Sequence, residues 1–415
     1  MLATRRLRFR EGSGKFLALC ATVAVAGCGG GGGNVPVATA AGNATLGAGQ
    51  RTQASLQRNV KRDGASCNVQ YSFKGTPDGA SPWGGLTAVK NTLYGSTAGG
   101  GSASAGTVFA YTTSGTESLL HDFTGDPDGF SPQSSLLDVG GTLYGTTNNG
   151  GEHNDGSVFA ITTKGKEHIV YSFAGGSTDG QNPQSTLIKV GGILYGTTSQ
   201  AGSGGAGTVF SVTKSGIEKT IYNFQQQPDG ATPLAGVIYY KGAFYGTTAG
   251  GGTANVGTVF KVTPGGTETV LHSFTGQPDG QQPTGGLLEY KGDLYGTTYQ
   301  GGANNTGSVF KITPSGSETV IYSFAAQNDA ELPASSLINV NGTFYGTAYS
   351  NTNPDGSGAI FSVTPAGTET ELCNFPASTG GGSSLAPLVY FEGALWGTLY
   401  SGGANEQGGI FNVTL

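Results

Sequence analysis

Six aspartates recur at one place in a repeated stretch of this sequence and are the first candidates for chemistry. Each lies in a short polar connection, and the six are Asp78, Asp128, Asp179, Asp229, Asp279 and Asp329. Carboxylates grouped on one surface can bind cations or hydroxyl-rich ligands. The alternative is a turn role, because an aspartate before glycine accepts hydrogen bonds from nearby backbone amides. Since Asp329 precedes Ala330 and the seventh connection has no aspartate, we favour the turn role.

Four histidines are the next candidates, and two of them share a position in the repeat. His121 and His272 stand two residues before a phenylalanine. Sister repeats carry a tyrosine there: Tyr71, Tyr171, Tyr222 and Tyr322. We interpret both histidines as strand side chains that replace an aromatic ring, with a ligand role as the alternative. His153 and His168 have no partner at metal-ligand spacing, and we find no nucleophile, phosphate-loop or zinc motif, so we expect no catalytic residue, cofactor or metal.

The first 28 residues resemble an export signal. Five basic residues precede an apolar run, 16–26, that is too short to span a bilayer as a mature helix. The string VAGC, ending at Cys28, resembles the lipobox of bacterial lipoproteins, which implies removal of residues 1–27 and lipid attachment to Cys28. The alternative is an ordinary secretory signal that contains a cysteine by chance.

The chain after this signal is acidic. Removing residues 1–27 takes away five basic residues and one acidic residue, which moves the net charge from −6 to −10. An acidic surface without a basic cluster argues against nucleic-acid binding. Residues 28–62 are rich in Gly and Ala with little to bury, so we expect a flexible tether. Gly29 after Cys28 permits outer-membrane sorting, and we expect an exported lipoprotein of the bacterial cell envelope.

Residues 63–415 consist of seven copies of one unit. A Tyr or Trp in an LYGTT-like string recurs every 50 or 51 residues, at Tyr94, Tyr144, Tyr195, Tyr245, Tyr295, Tyr345 and Trp396. Two further strings, typified by GTVF and ETVIYSF, keep the same period. Gly-rich turns separate four short runs of β-branched and aromatic residues per unit, which predicts four antiparallel strands. With 76 glycines, a mainly helical fold is excluded.

Seven four-stranded units predict an all-β fold, a seven-bladed β-propeller. The first copy supplies only its last strand, 67–73, and the last copy lacks that strand. We therefore predict that the N-terminal strand completes the last blade and closes the ring. Small pairs such as Gly84-Gly85 begin the first strand of each unit, which predicts that this strand is innermost. The aspartate connections and the Gly-rich loops before GTVF should then share one surface, which we call the loop face.

Cys67 and Cys373 are the two cysteines of the predicted propeller. An exported protein meets oxidising conditions, so a bridge is chemically allowed. Cys67 belongs to the last blade and Cys373 to the blade before it. Because outer strands of neighbouring blades diverge, we expect the Cα atoms to lie beyond the ~4.4–6.8 Å that a disulfide needs. This argues against a bridge and leaves the pairing open.

The LYGTT, GG and GTVF strings over residues 67–415 resemble the GloVer tandem repeat of bacterial proteins with a choice of anchor. The resemblance implies a repeat body held at the cell surface and carries no activity with it. We therefore expect a monomeric, lipid-anchored binding or scaffolding module. A lipid on Cys28 would attach it to the membrane, and a protein or glycan ligand would bind the loop face. The alternatives are an enzyme acting on extracellular polysaccharide and an accessory of envelope assembly.

Overall fold

The protein is described by a computed structural model covering residues 65–325, 329–351, 358–375 and 381–415. The predicted signal, the tether and Cys28 lie outside these ranges. Every regular element within them is a β-strand. The described residues include no helix that is long and apolar enough to cross a membrane. Seven antiparallel sheets form a seven-bladed propeller, as the repeat predicted.

The 36 strands are numbered along the chain, and each blade is given from its inner to its outer strand. Blade 1 contains β2 (Thr87–Val89), β3 (Thr92–Thr97), β4 (Thr107–Thr112) and β5 (Glu117–Asp122). Blade 2 contains β7 (Leu137–Asp138), β8 (Thr142–Asn149), β9 (Ser157–Thr162) and β10 (Glu167–Ser172). Blade 3 contains β12 (Ile188–Val190), β13 (Ile193–Thr198), β15 (Thr208–Val212) and β16 (Glu218–Asn223). Blade 4 contains β18 (Ile238–Tyr240), β19 (Ala243–Thr248), β21 (Thr258–Val262) and β22 (Glu268–Ser273).

The last three blades repeat this order. Blade 5 contains β24 (Leu288–Tyr290), β25 (Asp293–Thr298), β27 (Ser308–Ile312) and β28 (Glu318–Ser323). Blade 6 contains β30 (Ile338–Val340), β31 (Thr343–Asn351), β32 (Ala359–Val363) and β33 (Glu369–Asn374). Blade 7 contains β34 (Val389–Phe391), β35 (Ala394–Leu399), β36 (Gly409–Thr414) and β1 (Asn68–Ser72).

Short strands join the aspartate connections to the Gly-rich loops. Gly180 pairs with Ala201, for example, and Gly280 pairs with Gly301. These strands are β6 (Phe130–Pro132), β11 (Gly180–Gln181), β14 (Gln200–Ala201), β17 (Gly230–Ala231), β20 (Gly250–Gly251), β23 (Gly280–Gln281), β26 (Gln300–Gly301) and β29 (Ala330–Pro333). The pairing confirms that both sets of loops lie on one face.

The glycine of each LYGTT string makes room for a phenylalanine ring. Gly246 lies directly opposite Phe260 in the neighbouring strand, and a Cβ on Gly246 would stand 2.5 Å from the Cζ of Phe260. The same close approach occurs in every blade, with Cβ-to-ring distances from 2.5 to 2.8 Å. No side chain fits there, so the repeat keeps glycine in an otherwise β-favouring string.

Phenylalanines pack the blades against one another. The last residue of each ETVIYSF string meets the GTVF phenylalanine of the next blade, as Phe73 meets Phe109 and Phe224 meets Phe260. Ring centroids at the seven interfaces lie 4.7–5.2 Å apart in edge-to-face orientation. Each fully buried ring contributes roughly 1.5–3 kcal/mol, so this repeated pair is a main source of ring stability.

The ring closes as the sequence predicted. β1 pairs with β36, with Val69 opposite Phe411 and Tyr71 opposite Ile410, so an N-terminal strand completes the C-terminal blade. The small residues before each inner strand are also explained. A Cβ on Gly84 would collide with the backbone carbonyl of Ser134 in the next blade, because the innermost segments converge there.

The expectation that outer strands keep Cys67 and Cys373 apart is wrong. A disulfide joins them, with their Cα atoms 5.7 Å apart. Two positions of neighbouring outer strands nevertheless face each other. One lies two residues before the ETVIYSF-type phenylalanine of blade 6, and the other lies six residues before the corresponding phenylalanine of blade 7. The two cysteines occupy these two positions. Blades 6 and 7 are therefore covalently joined.

Candidate functional site

The six loop-face aspartates point inward, between blades. Asp78 and Asp179 are 8% and 6% exposed, and Asp329 is fully buried. Each carboxylate accepts a hydrogen bond from a backbone amide four or five residues before it, as Asp229 does from the amide of Gln225 at 2.8 Å. Three also accept from the amide that follows, as Asp229 does from Gly230 at 2.6 Å. These bonds shape the turn, as expected for aspartate at such positions.

Each aspartate is also bound by the aromatic residue of the preceding outer strand. The Tyr71 hydroxyl donates to Asp78 at 2.7 Å, and the Tyr222 hydroxyl donates to Asp229 at 2.8 Å. Tyr171 and Tyr322 donate in the same way to Asp179 and Asp329. The tyrosine position of the repeat therefore holds the connection against the blade that precedes it.

A glutamate from the next blade completes each group. It is the first residue of the outer strand, and the Tyr71 hydroxyl lies 3.4 Å from the Glu117 carboxylate. We call the three side chains an interface cluster. The six clusters are Tyr71–Asp78–Glu117, His121–Asp128–Glu167, Tyr171–Asp179–Glu218, Tyr222–Asp229–Glu268, His272–Asp279–Glu318 and Tyr322–Asp329–Glu369.

The glutamates are poorly placed to carry a charge. Burial, together with the neighbouring aspartate charge, raises the pKa of Glu117 to about 6 and of Glu369 to about 8. Burial likewise raises the pKa to about 7 in the four others, Glu167, Glu218, Glu268 and Glu318. A buried carboxylate oxygen lacks a hydrogen-bond partner among the described residues in Glu117, Glu167, Glu268, Glu318 and Glu369. Such an atom costs folding energy unless a proton or a cation satisfies it.

Two clusters contain histidine in place of tyrosine. His121 Nε2 lies 3.3 Å from both carboxylate oxygens of Asp128, and His272 Nε2 lies 3.1 Å from Asp279 Oδ2. Burial lowers the pKa of His121, but the hydrogen bond and charge of Asp128 outweigh it and raise that pKa above its ordinary value. In each cluster the histidine nitrogen and the two carboxylates offer ligand atoms that all lie within 4.8 Å of one another.

Sequence reasoning assigned the aspartates and histidines to positions in the repeat but missed the glutamate. The histidines stand in for tyrosine as expected, since both bind the aspartate. The glutamate of each cluster lies six residues before the ETVIYSF phenylalanine of the next unit. Spacing within one unit therefore does not relate it to the aspartate and the aromatic residue of its cluster. Cys67 replaces that glutamate and Cys373 replaces the tyrosine. The replacement of both residues by cysteine was the sequence signal that these two positions are in contact.

The loop face also carries aromatic rings that do not repeat. Trp83 follows the connection into blade 1, is 37% exposed, and packs edge-to-face on Tyr400 of blade 7 with ring centroids 5.0 Å apart. The sister positions of Trp83 hold Gln133, Gln184, Leu234, Thr284, Ala334 and Leu385. The position of Tyr400, at the end of the second strand or just after it, is tyrosine only in blades 5, 6 and 7, at Tyr299, Tyr349 and Tyr400. An aromatic patch thus marks one side of the face.

Among solved structures, the chain is similar to puromycin hydrolase, with a TM-score of 0.48 and 10% identity over 78% of this chain and 50% of that one. It spans only half of that enzyme. An ulvan lyase gives a TM-score of 0.46 and 10% identity over 82% and 95% of the two chains. A gluconolactonase from Xanthomonas campestris gives 0.42 and 13% over 86% and 91%. No curated protein sequence matches the chain. Residues 44–241 and 187–411 match the family model described as the Gloeobacter/Verrucomicrobia repeat.

Proposed function

Because the chain belongs to the Gloeobacter/Verrucomicrobia repeat family, we propose that its propeller is a binding module, held at the bacterial cell envelope through a lipid on Cys28. The ligand that we propose is a glycan on the loop face. The membrane and this ligand are the partners in the proposal, and no reaction is part of it.

The aromatic patch is the observation that carries the proposal. Positions that repeat seven times build the ring, whereas positions that differ between repeats are free to serve a ligand. Trp83 differs from all of its sister positions, packs on Tyr400, whose position is tyrosine in only three blades, and is exposed beside that ring. Exposed aromatic rings supply flat apolar surface at small entropic cost, which suits the apolar faces of sugar rings.

The repetition of the interface clusters argues against a catalytic role for their acids. Each cluster pairs an aspartate with a glutamate, which is a combination that glycosidases use. Here the pair recurs at six interfaces with nearly the same bonds to backbone amides and to tyrosine or histidine. A reaction needs one site, whereas blade packing needs every interface, so the repetition favours a structural role for these acids.

The anchor in this proposal depends on the sequence alone. Cys28 follows Val25-Ala26-Gly27 and precedes a run of glycines, which is the arrangement of a lipidated cysteine on a tether.

A fluorescence titration tests the ligand face. The chain has two tryptophans, Trp83 and the buried Trp396, so emission from Trp83 reports on the patch. Soluble fragments of bacterial envelope polysaccharide should change this emission in a saturable way. Trp83→Gln, which introduces the residue of two sister repeats, should abolish binding in a pull-down on the same polysaccharide.

Ile217→Thr is the matched control. Ile217 is 69% exposed in the turn between the third and fourth strands, on the face opposite the loops, where sister repeats carry Thr116 and Thr267. This variant should bind like wild type. Equal binding by Trp83→Gln and wild type would remove the patch from the proposal, and saturable binding of a purified envelope protein in its place would favour protein docking.

A further inference from the structure

The two histidine-containing clusters differ chemically from the four tyrosine-containing clusters. A tyrosine hydroxyl at this position is a hydrogen-bond donor to the aspartate, whereas an imidazole nitrogen beside two carboxylates is a ligand set for a transition metal. We propose that His121, Asp128 and Glu167 bind one divalent transition-metal ion such as Zn²⁺, and that His272, Asp279 and Glu318 bind a second.

The distances suit such an ion. Nitrogen and oxygen ligands about 2.0–2.2 Å from a tetrahedral zinc ion lie roughly 3.3–3.6 Å from one another. The histidine nitrogens already stand 3.3 and 3.1 Å from the aspartate oxygens. The three ligand atoms of each histidine-containing cluster lie within 4.8 Å of one another. Only the glutamate therefore has to approach, by about 1 Å of side-chain movement.

The glutamates of both histidine clusters have a carboxylate oxygen free to bind an ion, a feature shared with three tyrosine clusters. One buried carboxylate oxygen of Glu167 and one of Glu318 lack a hydrogen-bond partner among the residues the structure describes. A cation would satisfy these atoms, which otherwise carry the full cost of desolvation. The histidines and aspartates keep 16–22% of their side-chain surface exposed, which leaves a path for an ion.

The surroundings orient the ligands. The backbone amide and hydroxyl of Thr124 donate to Asp128 Oδ2 at 2.9 and 3.2 Å, and Thr275 makes the same two bonds to Asp279. Bonds of this kind fix a carboxylate for metal binding. Three protein ligands leave a position for water, as in zinc sites that are not fully enclosed.

The ion would join neighbouring blades. In each of these two clusters the histidine belongs to one blade and the glutamate to the next. The ions would therefore link blade 1 to blade 2 and blade 4 to blade 5. The disulfide ties blade 6 to blade 7 through the same two repeat positions. Three of the seven interfaces would then have a bond stronger than a hydrogen bond.

Zinc titration of the purified full chain tests the proposal. At mildly alkaline pH, where protons compete less with zinc for the histidine nitrogens, metal-free protein should bind two equivalents of Zn²⁺ and melt at a higher temperature with zinc than without. Co²⁺ should give the absorption bands of a low-coordinate site with a nitrogen ligand. His121→Tyr and His272→Tyr should each lose one equivalent, and the double variant should lose both.

The repeat supplies the controls. Tyrosine is the sister residue at both positions, so these variants preserve the bond to aspartate and should fold. Tyr222→His places an imidazole beside Asp229 and Glu268 and should raise the binding to three equivalents. His153→Ala and His168→Ala, at exposed positions, should leave two. Absence of zinc binding by wild type, or two equivalents retained by the double variant, would overturn the proposal.

Discussion

The aspartate and the glutamate of each interface cluster have different environments. The aspartate of each cluster accepts hydrogen bonds from a backbone amide and an aromatic partner, as Asp329 does from Ala325, Ala330 and Tyr322. The glutamate of the next blade is buried beside it and resists ionisation. A neutral glutamate therefore suits the folded ring, whereas the unfolded chain ionises it at a much lower pH. This difference makes the stability of the ring depend on pH.

Glu369→Gln should show this dependence most clearly. Burial and the charges of Asp329 and Glu371 raise the pKa of Glu369 to about 8, and the Tyr322 hydroxyl, which donates to Asp329, lies 3.4 Å from Glu369. Its unfolded pKa is near 4.3, so wild type loses stability as pH rises from about 4.5 to 8, at about 1.4 kcal/mol per unit of pKa difference. The variant stays neutral and should be more stable than wild type at pH 8 by roughly 2–5 kcal/mol.

Denaturant melts at several pH values measure the effect. The gap between Glu369→Gln and wild type should be small near pH 4.5 and should widen up to pH 8. Glu152→Gln, in an exposed loop, is the control and should follow wild type throughout. A gap that is constant across this range would show that Glu369 ionises alike in the folded and unfolded chain.

Gly246→Ala tests the close contact inside a blade. The new Cβ would stand 2.5 Å from Phe260, which is fully buried and cannot move aside without disturbing Phe224. Overpacking of this kind should lower the free energy of unfolding by about 1–3 kcal/mol. Gly265→Ala, whose nearest neighbour would be 3.8 Å away, should change it by less than about 0.5 kcal/mol. Equal chemical-denaturation midpoints for the two variants would contradict this account.

Among the strands, β1 has a special position because it is the only strand of its blade that comes from the other end of the chain. It supplies the ladder partner of β36 and places Phe73 against Phe109 of blade 1. Without β1, blade 7 would have three strands instead of four, and β36 would lose its outer ladder partner.

Deletion of β1 should therefore be costly. Removing residues 29–62 should leave stability nearly unchanged, because this Gly- and Ala-rich segment has little to bury. Extending the deletion through Phe73 removes the β1 ladder and buried aromatic surface. The free energy lost with them is comparable with the ~5–15 kcal/mol stability of a typical domain. Cys67→Ala separates the loss of the disulfide from the loss of the strand. Chemical-denaturant midpoints that agree for both deletions would exclude β1 from the sheet in solution.

The whole propeller is held by repeated contacts and by one covalent bond. The seven phenylalanine pairs are nearly equivalent, but the Cys67–Cys373 bridge occurs at one interface and spans 306 residues. It lies beside the blade that β1 completes, where the ring is assembled from both ends of the chain. A bond there opposes opening at the joint that chain connectivity leaves weakest.

Cys67→Ala combined with Cys373→Ala should destabilise the ring. Removing a bridge that closes so long a loop should lower the free energy of unfolding by about 2–5 kcal/mol. Reduction of wild type by dithiothreitol should lower its midpoint to a similar degree, and should not affect the double variant. If reduction shifts both proteins equally, the bridge does not stabilise the ring.

Cys28→Ala tests the anchor at the scale of the cell. The substituted protein should leave the membrane fraction and appear in the soluble exported fraction, because the lipid has no other attachment point in the proposal. It should also fail to incorporate labelled fatty acid. Retention in the membrane with unchanged labelling would exclude Cys28 as the anchor.

The sequence by itself determined the blade count, the strand order and the closure of the ring. These follow from periodicity, because strings such as that of Tyr245 recur at one spacing and because the strand 67–73 is left over at one end. Only the tertiary structure brought Tyr222, Asp229 and Glu268 together, and Cys67 to Cys373. The reason is physical: these contacts join different repeats, and whether two outer-strand side chains meet depends on the angle between blades, which no spacing along the chain records.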